Sequence, residues 1–251
     1  MKFSIITITY GDGARLDRAL RSVYDQVLAP GDEVEHIIVN SNKSMPAALE
    51  AASHRKDIKI INTPPRGVYS AINMGLEAAD GDIVALLHGS DYYPDNTILA
   101  TVADTFRDGK IDFVYGNIEY IKGISAVQIS NSHKADKFRP EHLLYGFAPP
   151  HPSLFISRKV KEAIGHYKED YKIAADFDYF VRLFRHPAGF KGSFLPKTLV
   201  YMDDDGMSRT LTSRIFINTA EKRRALRENG IKSSWFKMMR RYFLHFKRQG
   251  Q

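Results

Sequence analysis

RGVYSAINMGLEAADGDIVALLHGSDYY, residues 66–93, is the stretch whose reading decides the fold. Pro64 and Pro65 break the chain just ahead of it, and a helix is expected from about Tyr69 to Ala79. Gly81 then opens DIVALL, residues 82–87, an apolar run with β-branched residues, too short for a helix of ordinary length. It reads as a buried strand. A helix feeding directly into a buried strand is half of a βαβ unit. The same alternation continues outward. Residues 3–9, FSIITIT, form a first strand, and Gly11-Asp12-Gly13 a turn. Leu16, Ala19, Leu20 and Val23 then mark one face of a helix. VEHIIV at 34–39 is a second strand, followed by a polar NSNKS loop and a short Ala-rich helix to about His54. IKII at 58–61 is a third strand. Apolar strands alternating with helices predict an α/β fold, with a mostly parallel sheet covered on both faces. In such sheets ligands bind beyond the carboxyl ends of the strands. The loops after Thr9, Val39, Ile61 and Leu87 are where chemistry is expected.

Beyond residue 93 the pattern is less regular. Strand-like segments fall near 112–115, 153–157 and 199–202, and helices are expected at 95–107, 174–186 and 210–228. Neither an internal repeat nor a clear linker is present.

The chain has 251 residues, 43% of them hydrophobic and 26% charged, the composition of an ordinary globular protein. Pervasive disorder is excluded. No apolar run reaches the roughly 20 residues that span a bilayer, and the opening MKFSIITITYGDG does not read as a signal peptide. With no Cys, disulfides, thiolate nucleophiles and zinc–thiolate sites are excluded, and the cytoplasm is the expected compartment. The net charge of +7 is concentrated at one end: residues 229–251 hold six Lys or Arg and no acid. Trp235, Met238, Met239, Tyr242 and Phe246 recur there at helical spacing among Lys237, Arg240, Arg241, Lys247 and Arg248. Such a helix suits the surface of an anionic membrane, with the protein peripheral on its cytoplasmic face. The plainer alternative is a helix packed on the body with its basic side in water. The rest of the chain has no basic stripe or base-reading motif, so nucleic acid is not an expected partner.

Three segments can carry chemistry. Asp91 follows the fourth strand in LHGSDYYP, where a carboxylate either ligates a divalent cation or caps the next helix. Arg66 and Gly67 precede a helix whose N–H groups, with the guanidinium, can hold phosphate, and Asn73 lies a turn further on. The bland reading of these is a surface loop and a capping or solvent-facing amide. Asp176 and Asp178 open the helix in YKIAADFDYFVRLFRH, where Phe177, Phe180, Val181 and Phe184 form the apolar face. A carboxylate there serves either as a general base in a cleft or as a helix cap.

Taken together, in order and at this spacing, the segments resemble the family 2 glycosyltransferases with their GT-A fold. The resemblance is greatest to small bacterial enzymes of surface-polysaccharide and glycolipid assembly. IITITYGDGARLDRALRSVYDQ is similar to the family's first strand, nucleotide-contacting loop and first helix. RGVYSAINMGLEAADGDIVALLHGSDYY is similar to its Lys/Arg-Gly-Ile-Tyr-x-Ala-Met-Asn-x-Gly segment and acidic metal motif. HPSLFISRKVKEAIGHYKEDYKIAADFDYFVRLF is similar to its acceptor-side segment, which ends in the motif carrying the base. The resemblance implies a glycosyltransferase domain over residues 1–210, with a donor half to about 93 and an acceptor half from 94, followed by a helical extension over 211–251. It implies that Thr9 and Tyr10 flank the nucleotide, that Arg66, Gly67, Tyr69 and Asn73 line the donor pocket, and that His151 lies on the acceptor side. Asp91 would ligate Mn²⁺ or Mg²⁺ on the donor diphosphate, and Asp176 would be the general base. Two positions depart from the family pattern. Ser90 replaces the first of two adjacent carboxylates, and Asn40 replaces the Asp that contacts the base.

The implied reaction moves a sugar from a nucleotide diphosphate donor, expected to be a UDP-sugar, to a hydroxyl of a glycan or lipid-linked acceptor, with inversion. The rival readings are a non-catalytic nucleotide-sugar-binding or scaffold protein of the same fold, or another enzyme class on an α/β sheet. A dehydrogenase is disfavoured, because Gly11-Asp12-Gly13 is followed by Leu16 where its fingerprint needs a third Gly, and no P-loop signature is present.

Overall fold

The computed structural model describes residues 1–10, 13–123, 128–204 and 211–238, the last segment without the side chains of 211–215. Its first half is β1 (Lys2–Thr9), α1 (Gly13–Tyr24), β2 (Glu33–Asn40), α2 (Ala47–Ala52), β3 (Ile58–Asn62), α3 (Val68–Ala78) and β4 (Ile83–Leu86). The second half is α4 (Ile98–Phe106), β5 (Phe113–Lys122), β6 (Gln128–His133), β7 (Phe155–Ser157), α5 (Arg158–Ile164), α6 (Ala175–Arg185), β8 (Gly192–Asp203) and α7 (Leu211–Glu228). Short 3-10 turns at Pro140–Tyr145 and His151–Ser153 lead into β7.

These strands make one mixed sheet in the order β3-β2-β1-β4-β7-β5-β6, with β8 also paired to β5. β1 to β4 run parallel. β7 is antiparallel between β4 and β5, and β8 is parallel to β5. The chain moves outward from β1 to β2 and β3, then returns to place β4 on the other side of β1. In open sheets of this kind such a reversal is where ligands bind, beyond the carboxyl ends of the strands, here β1 and β4.

β1 is the spine of the sheet because its residues can be buried on both sides. Ile5 joins an apolar cluster with Ile98, Leu99 and Val102 of α4, whereas its neighbour Ile6 joins Ile72 and Leu76 of α3 and Phe177 and Phe180 of α6. The period of two along a strand puts these two layers on opposite faces. Helix α3 lies unusually close to β1: a Cβ on Gly75 would sit 2.3 Å from the Ile6 side chain. Leu16 and Leu20 of α1 close a third cluster with Ile38 and Leu49.

The second half departs from the sequence expectation in extent. β8 starts at Gly192, well ahead of the expected 199–202, and runs through Pro196. In the ladder with β5 the register passes from Tyr115↔Phe194 to Asn117↔Thr198, so Pro196 falls in an irregularity where no ladder N–H is needed. β6 is exposed along its whole length and carries no apolar alternation to announce it. Helix α6 is buried beyond the expected Phe177, Phe180 and Val181: Tyr179 and Leu183 are enclosed too, and Phe184 is half-buried.

At the C-terminal end, Ala225, Leu226 and Met238 pack into the cluster that holds α6. Trp235 stacks on Phe216 at 6.3 Å, while Phe236 is 81% exposed. Met238, expected on the apolar face of a basic tail, therefore points into the body. Met239, Tyr242, Phe246 and the basic residues from Arg240 onward lie outside the described residues, as do Gly11 and Asp12. Among the described residues no helix is long and apolar enough to cross a membrane.

Candidate active site

The crevice between β1 and β4 is a cleft of about 420 Å³. Thr9 and Tyr10 at the end of β1, Ser41 after β2, Pro65, Gly67 and Val68 at the start of α3, and His88, Gly89 and Ser90 after β4 line it. The chain reaches these positions for local reasons. Gly67 caps α3 with φ 108°, a conformation that costs an L side chain strain, so the loop can turn into the helix without a Cβ facing the cleft. Gly89 donates its N–H to Ile8 O at 3.0 Å, and a Cβ there would lie 3.1 Å from Thr9, so the loop after β4 rests directly on the end of β1. Tyr10 is 73% exposed at the mouth, a free ring available for stacking. Arg66 is exposed between the lining residues Pro65 and Gly67.

Asp91 lies just behind Ser90 and is only 2% exposed. The Ser90 hydroxyl donates to its Oδ1 at 3.3 Å, and its Oδ2 is buried with no hydrogen-bond partner. Burial pushes this carboxyl up to about 7; the Ser90 hydroxyl, the Asp203 backbone N–H and Arg18 oppose the rise, and the Asp203 carboxylate adds to it. Residues far apart in sequence surround it. β8 delivers Asp203 through a bridge in which Tyr92 and Tyr201 exchange both backbone hydrogen bonds, at 3.0 and 2.9 Å. Asp203 accepts from Arg15 Nε at 2.7 Å and from Arg18 Nη2 at 3.4 Å. The Arg18 guanidinium also lies 4.2 Å from the centre of the Tyr92 ring. An unpaired buried carboxylate oxygen is costly unless something binds it. A hard divalent cation, which prefers oxygen ligands, fits that atom. Among the described residues no three His, Asp or Glu side chains converge into a complete metal cage, so a cation here would take its remaining ligands from water and phosphate.

Asp176 lies in the first turn of α6, half-buried, and its Oδ1 accepts from Phe177 N at 2.7 Å. Tyr69, in the first turn of α3, holds this turn in place. Its hydroxyl donates to Ile173 O at 2.5 Å and accepts from Ala175 N at 3.2 Å. Burial and the nearby Asp176 charge both push the Tyr69 hydroxyl up, so it stays a donor. His151 Nε2 and Tyr167 Oη form a hydrogen bond at 2.7 Å. Burial lowers the His151 imidazole against the opposing charge of Asp176, and burial, with His151 adding to it, lowers His88 to about 4. His88 lines the cleft, whereas Asp176 and His151 lie outside its lining.

Besides Arg66, three of the expected donor residues, Asn40, Tyr69 and Asn73, fall outside the lining of the cleft, and the two amides among them are buried. Asn40 is 2% exposed; its Nδ2 donates to Asn62 and its Oδ1 accepts from Asn42 N and Nδ2. Asn73 is 5% exposed and joins α3 to the loop before α6. Its Nδ2 donates to Tyr167 O and to Glu169 Oε1, both at 2.9 Å, and its Oδ1 accepts from Tyr167 N at 2.8 Å. Sequence reasoning did not find Arg18, Ser41 or Asp203. Arg18 sits on the polar side of an ordinary amphipathic helix, and Asp203 reaches the site only through the pairing of β8.

The model of the family described as "Glycosyl transferase family 2" matches residues 4–167. A PGL/p-HBAD biosynthesis glycosyltransferase of Mycobacterium bovis (strain BCG / Pasteur 1173P2) is 26% identical over 223 residues, covering 86% of this chain and 82% of its own. Among solved structures, S. aureus TarS 1–349 superposes with a TM-score of 0.65 at 18% identity, over 90% of this chain and 65% of that one. The mannosyltransferase PcManGT of Pyrobaculum calidifontis, solved with GDP-Man and Mn²⁺, gives a TM-score of 0.64 at 18% identity, over 94% of this chain and 66% of that one. At these identities the structures establish the shared fold, the GT-A arrangement expected from sequence. The family match spans most of the chain, including the strands that build the cleft and the Asp91 loop: this protein belongs to glycosyl transferase family 2.

Proposed function

We propose that the chain transfers a sugar, with inversion, from a nucleotide diphosphate donor to a hydroxyl of a glycan or lipid-linked acceptor. The observation that carries this reading is the buried, unpartnered Oδ2 of Asp91 behind the cleft at the strand-order reversal. Thr9 and Tyr10 would receive the nucleoside, and the Gly67 turn with Arg66 the diphosphate. Ser41 and the amide network of Asn40 shape the floor where the base lies, and Asn73 and Tyr69 act as ties that fix the wall. Asp91 would hold Mn²⁺ or Mg²⁺, whose chemistry when bound is to neutralise charge on the departing diphosphate. The solved neighbour with GDP-Man and Mn²⁺ supports this, and so does TarS, solved with UDP-GlcNAc. Of these two donor types a UDP-sugar is the one proposed.

Asp176 would take the proton of the acceptor hydroxyl as that oxygen attacks the anomeric carbon. Its Oδ1 is oriented by Phe177 N, and the preceding Ala175 N is held by Tyr69, so the carboxylate needs little rearrangement to act. His151, neutral beside it, would face the acceptor. The exposed Phe236 and the excess of basic residues beyond Asn229 would keep the enzyme at an anionic membrane, where a lipid-linked acceptor resides.

The test is sugar transfer and slow donor hydrolysis over a panel of UDP-, GDP- and dTDP-sugars, with and without Mn²⁺, for wild type and Asp176→Asn. Donor-selective, Mn²⁺-stimulated turnover that disappears in Asp176→Asn is expected. Donor binding without turnover, even with membrane lipid extract as acceptor, would replace this reading with a nucleotide-sugar-binding role.

A further inference from the structure

Helix α6 begins without a cap of its own. Its N-cap residue is Ala174, which has no side-chain acceptor for the first N–H groups, and Ile173 and Lys172 before it offer none either. Helix starts of this kind leave several backbone donors unsatisfied. Here they are satisfied from another helix. Glu221 of α7 accepts from Lys172 N at 2.8 Å through Oε1, and from Ile173 N and Ala174 N, both at 2.9 Å, through Oε2. Tyr69 takes the next donor, Ala175 N, and Asp176 Oδ1 takes Phe177 N. One carboxylate thus serves three consecutive amides, ending two residues before Asp176.

The rest of α7 reinforces the contact. Arg224 pairs with Asp170, and Glu228 accepts from Lys168 Nζ at 2.8 Å and Tyr171 Oη at 3.0 Å. Glu221, Arg224 and Glu228 recur at helical spacing on one face, all directed at residues 168–174. Asn229 Nδ2 reaches the fully buried Asp178 at 3.2 Å. The Lys222 ammonium lies 4.9 Å from the centre of the Phe177 ring and donates to Gly146 O. Helix α7 is therefore joined to the turn that carries Asp176 by ion pairs at its rim and by a carboxylate at its centre. It lies entirely beyond residue 167, where the family match ends.

We propose that Glu221 is a positioning residue for the reaction: a cap supplied by α7 that sets the place and orientation of Asp176. This rests on the reading of Asp176 as general base. A carboxylate is the suitable group, because it accepts at both oxygens and its charge complements the positive end of α6. Glutamine keeps the shape but turns one oxygen into an NH₂, which confronts an amide with a donor. Misplacement of a catalytic group by about 1 Å costs about a hundredfold in rate.

The experiment compares full-length wild type, Glu221→Gln, Glu221→Ala and Asp176→Asn, measuring kcat, donor KM and the exchange of the Lys172, Ile173 and Ala174 amides. In Glu221→Gln, kcat is expected to fall about ten- to hundredfold with donor KM within about twofold, because the donor cleft is untouched. At least one of the three amides should lose its protection while the core of β1 keeps its own. Glu221→Ala should lose more of both; if it fails to fold, the isosteric Gln variant carries the test. Wild-type kcat in Glu221→Gln, or loss of activity shared equally between kcat and donor affinity, overturns the inference. Turnover that persists in Asp176→Asn instead sinks the assignment of the base, whereas an inactive Asp176→Asn beside a fully active Glu221→Gln sinks only the role of Glu221.

Discussion

Replacing Asp91 by Asn should separate what the site does from what it costs the fold. The carboxyl is 2% exposed and burial pushes it up to about 7, against 3.8 for an ordinary Asp. A folded state that holds its proton more tightly than the unfolded one loses stability as pH rises between those two values. At pH 8 the shift corresponds to about 4 kcal/mol of stability given up relative to an uncharged side chain; at pH 5 the figure is about 2 kcal/mol, and near pH 4 it approaches zero. The amide keeps the shape and can still accept from the Ser90 hydroxyl and the Asp203 N–H, so its own packing cost is the same at every pH. The pH dependence of the difference between variant and wild type therefore isolates the charge. Urea unfolding of both proteins in EDTA at pH 4, 5 and 8 should show Asp91→Asn gaining on wild type by about 3–4 kcal/mol across that range. The same variant should lose Mn²⁺-stimulated donor binding in a titration at pH 8. A difference that stays flat with pH would refute the claim that this carboxylate is held desolvated. Undiminished Mn²⁺-stimulated binding would refute its role as the metal anchor.

Three further outcomes are expected. Asn73→Ala leaves the Tyr167 N–H and C=O without their side-chain partners, and should cost about 2–4 kcal/mol, seen as a fall in Tm of about 5–12 °C. Donor affinity of the folded variant should be retained; a wild-type Tm with weakened donor binding would show that Asn73 acts as a ligand to the donor. His36 is buried against Thr7, and burial lowers its imidazole from 6.5 to about 3, so folding keeps it neutral and stability drains away as pH falls through that window. His36→Gln should remove about 1.4 kcal/mol per pH unit from the acid limb of the stability curve, and an unchanged limb would contradict it. Deleting residues 239–251, which leaves the buried Met238 in place, should release the protein from anionic vesicles in a sedimentation assay while Tm is kept. Equal binding with and without the segment would reject the membrane reading.

The residues that were legible in sequence and those that were not differ in the range of the interaction that places them. The strands β1 to β4 are short apolar runs separated by helices, and their burial on both faces makes a parallel sheet the only comfortable home for them. From that sheet the crevice follows, and Thr9, Tyr10, Gly67 and the Asp91 loop follow from the crevice. Pairing in the second half depends on partners distant in sequence: β7 inserts between β4 and β5, and β8 joins β5 through an irregular register around Pro196. Nothing local in those segments encodes the neighbour. The same holds for side chains. Asn40 and Asn73 have the chemistry of ligands, and an amide that could meet a base edge serves equally well to join two loops. Which it does depends on where Asn62 and Tyr167 come to rest. Glu221 is the extreme case. On α7 it is one charged residue among many on a polar helix, and only the missing cap at Ala174 hints that an acceptor must arrive from elsewhere. A helix start without Ser, Thr, Asp or Asn, placed immediately before a candidate catalytic carboxylate, is a readable deficit. It predicts that some distant group completes the turn. In this fold that group joins α7 to the start of α6, so the placement of the turn that carries Asp176 depends on how α7 packs.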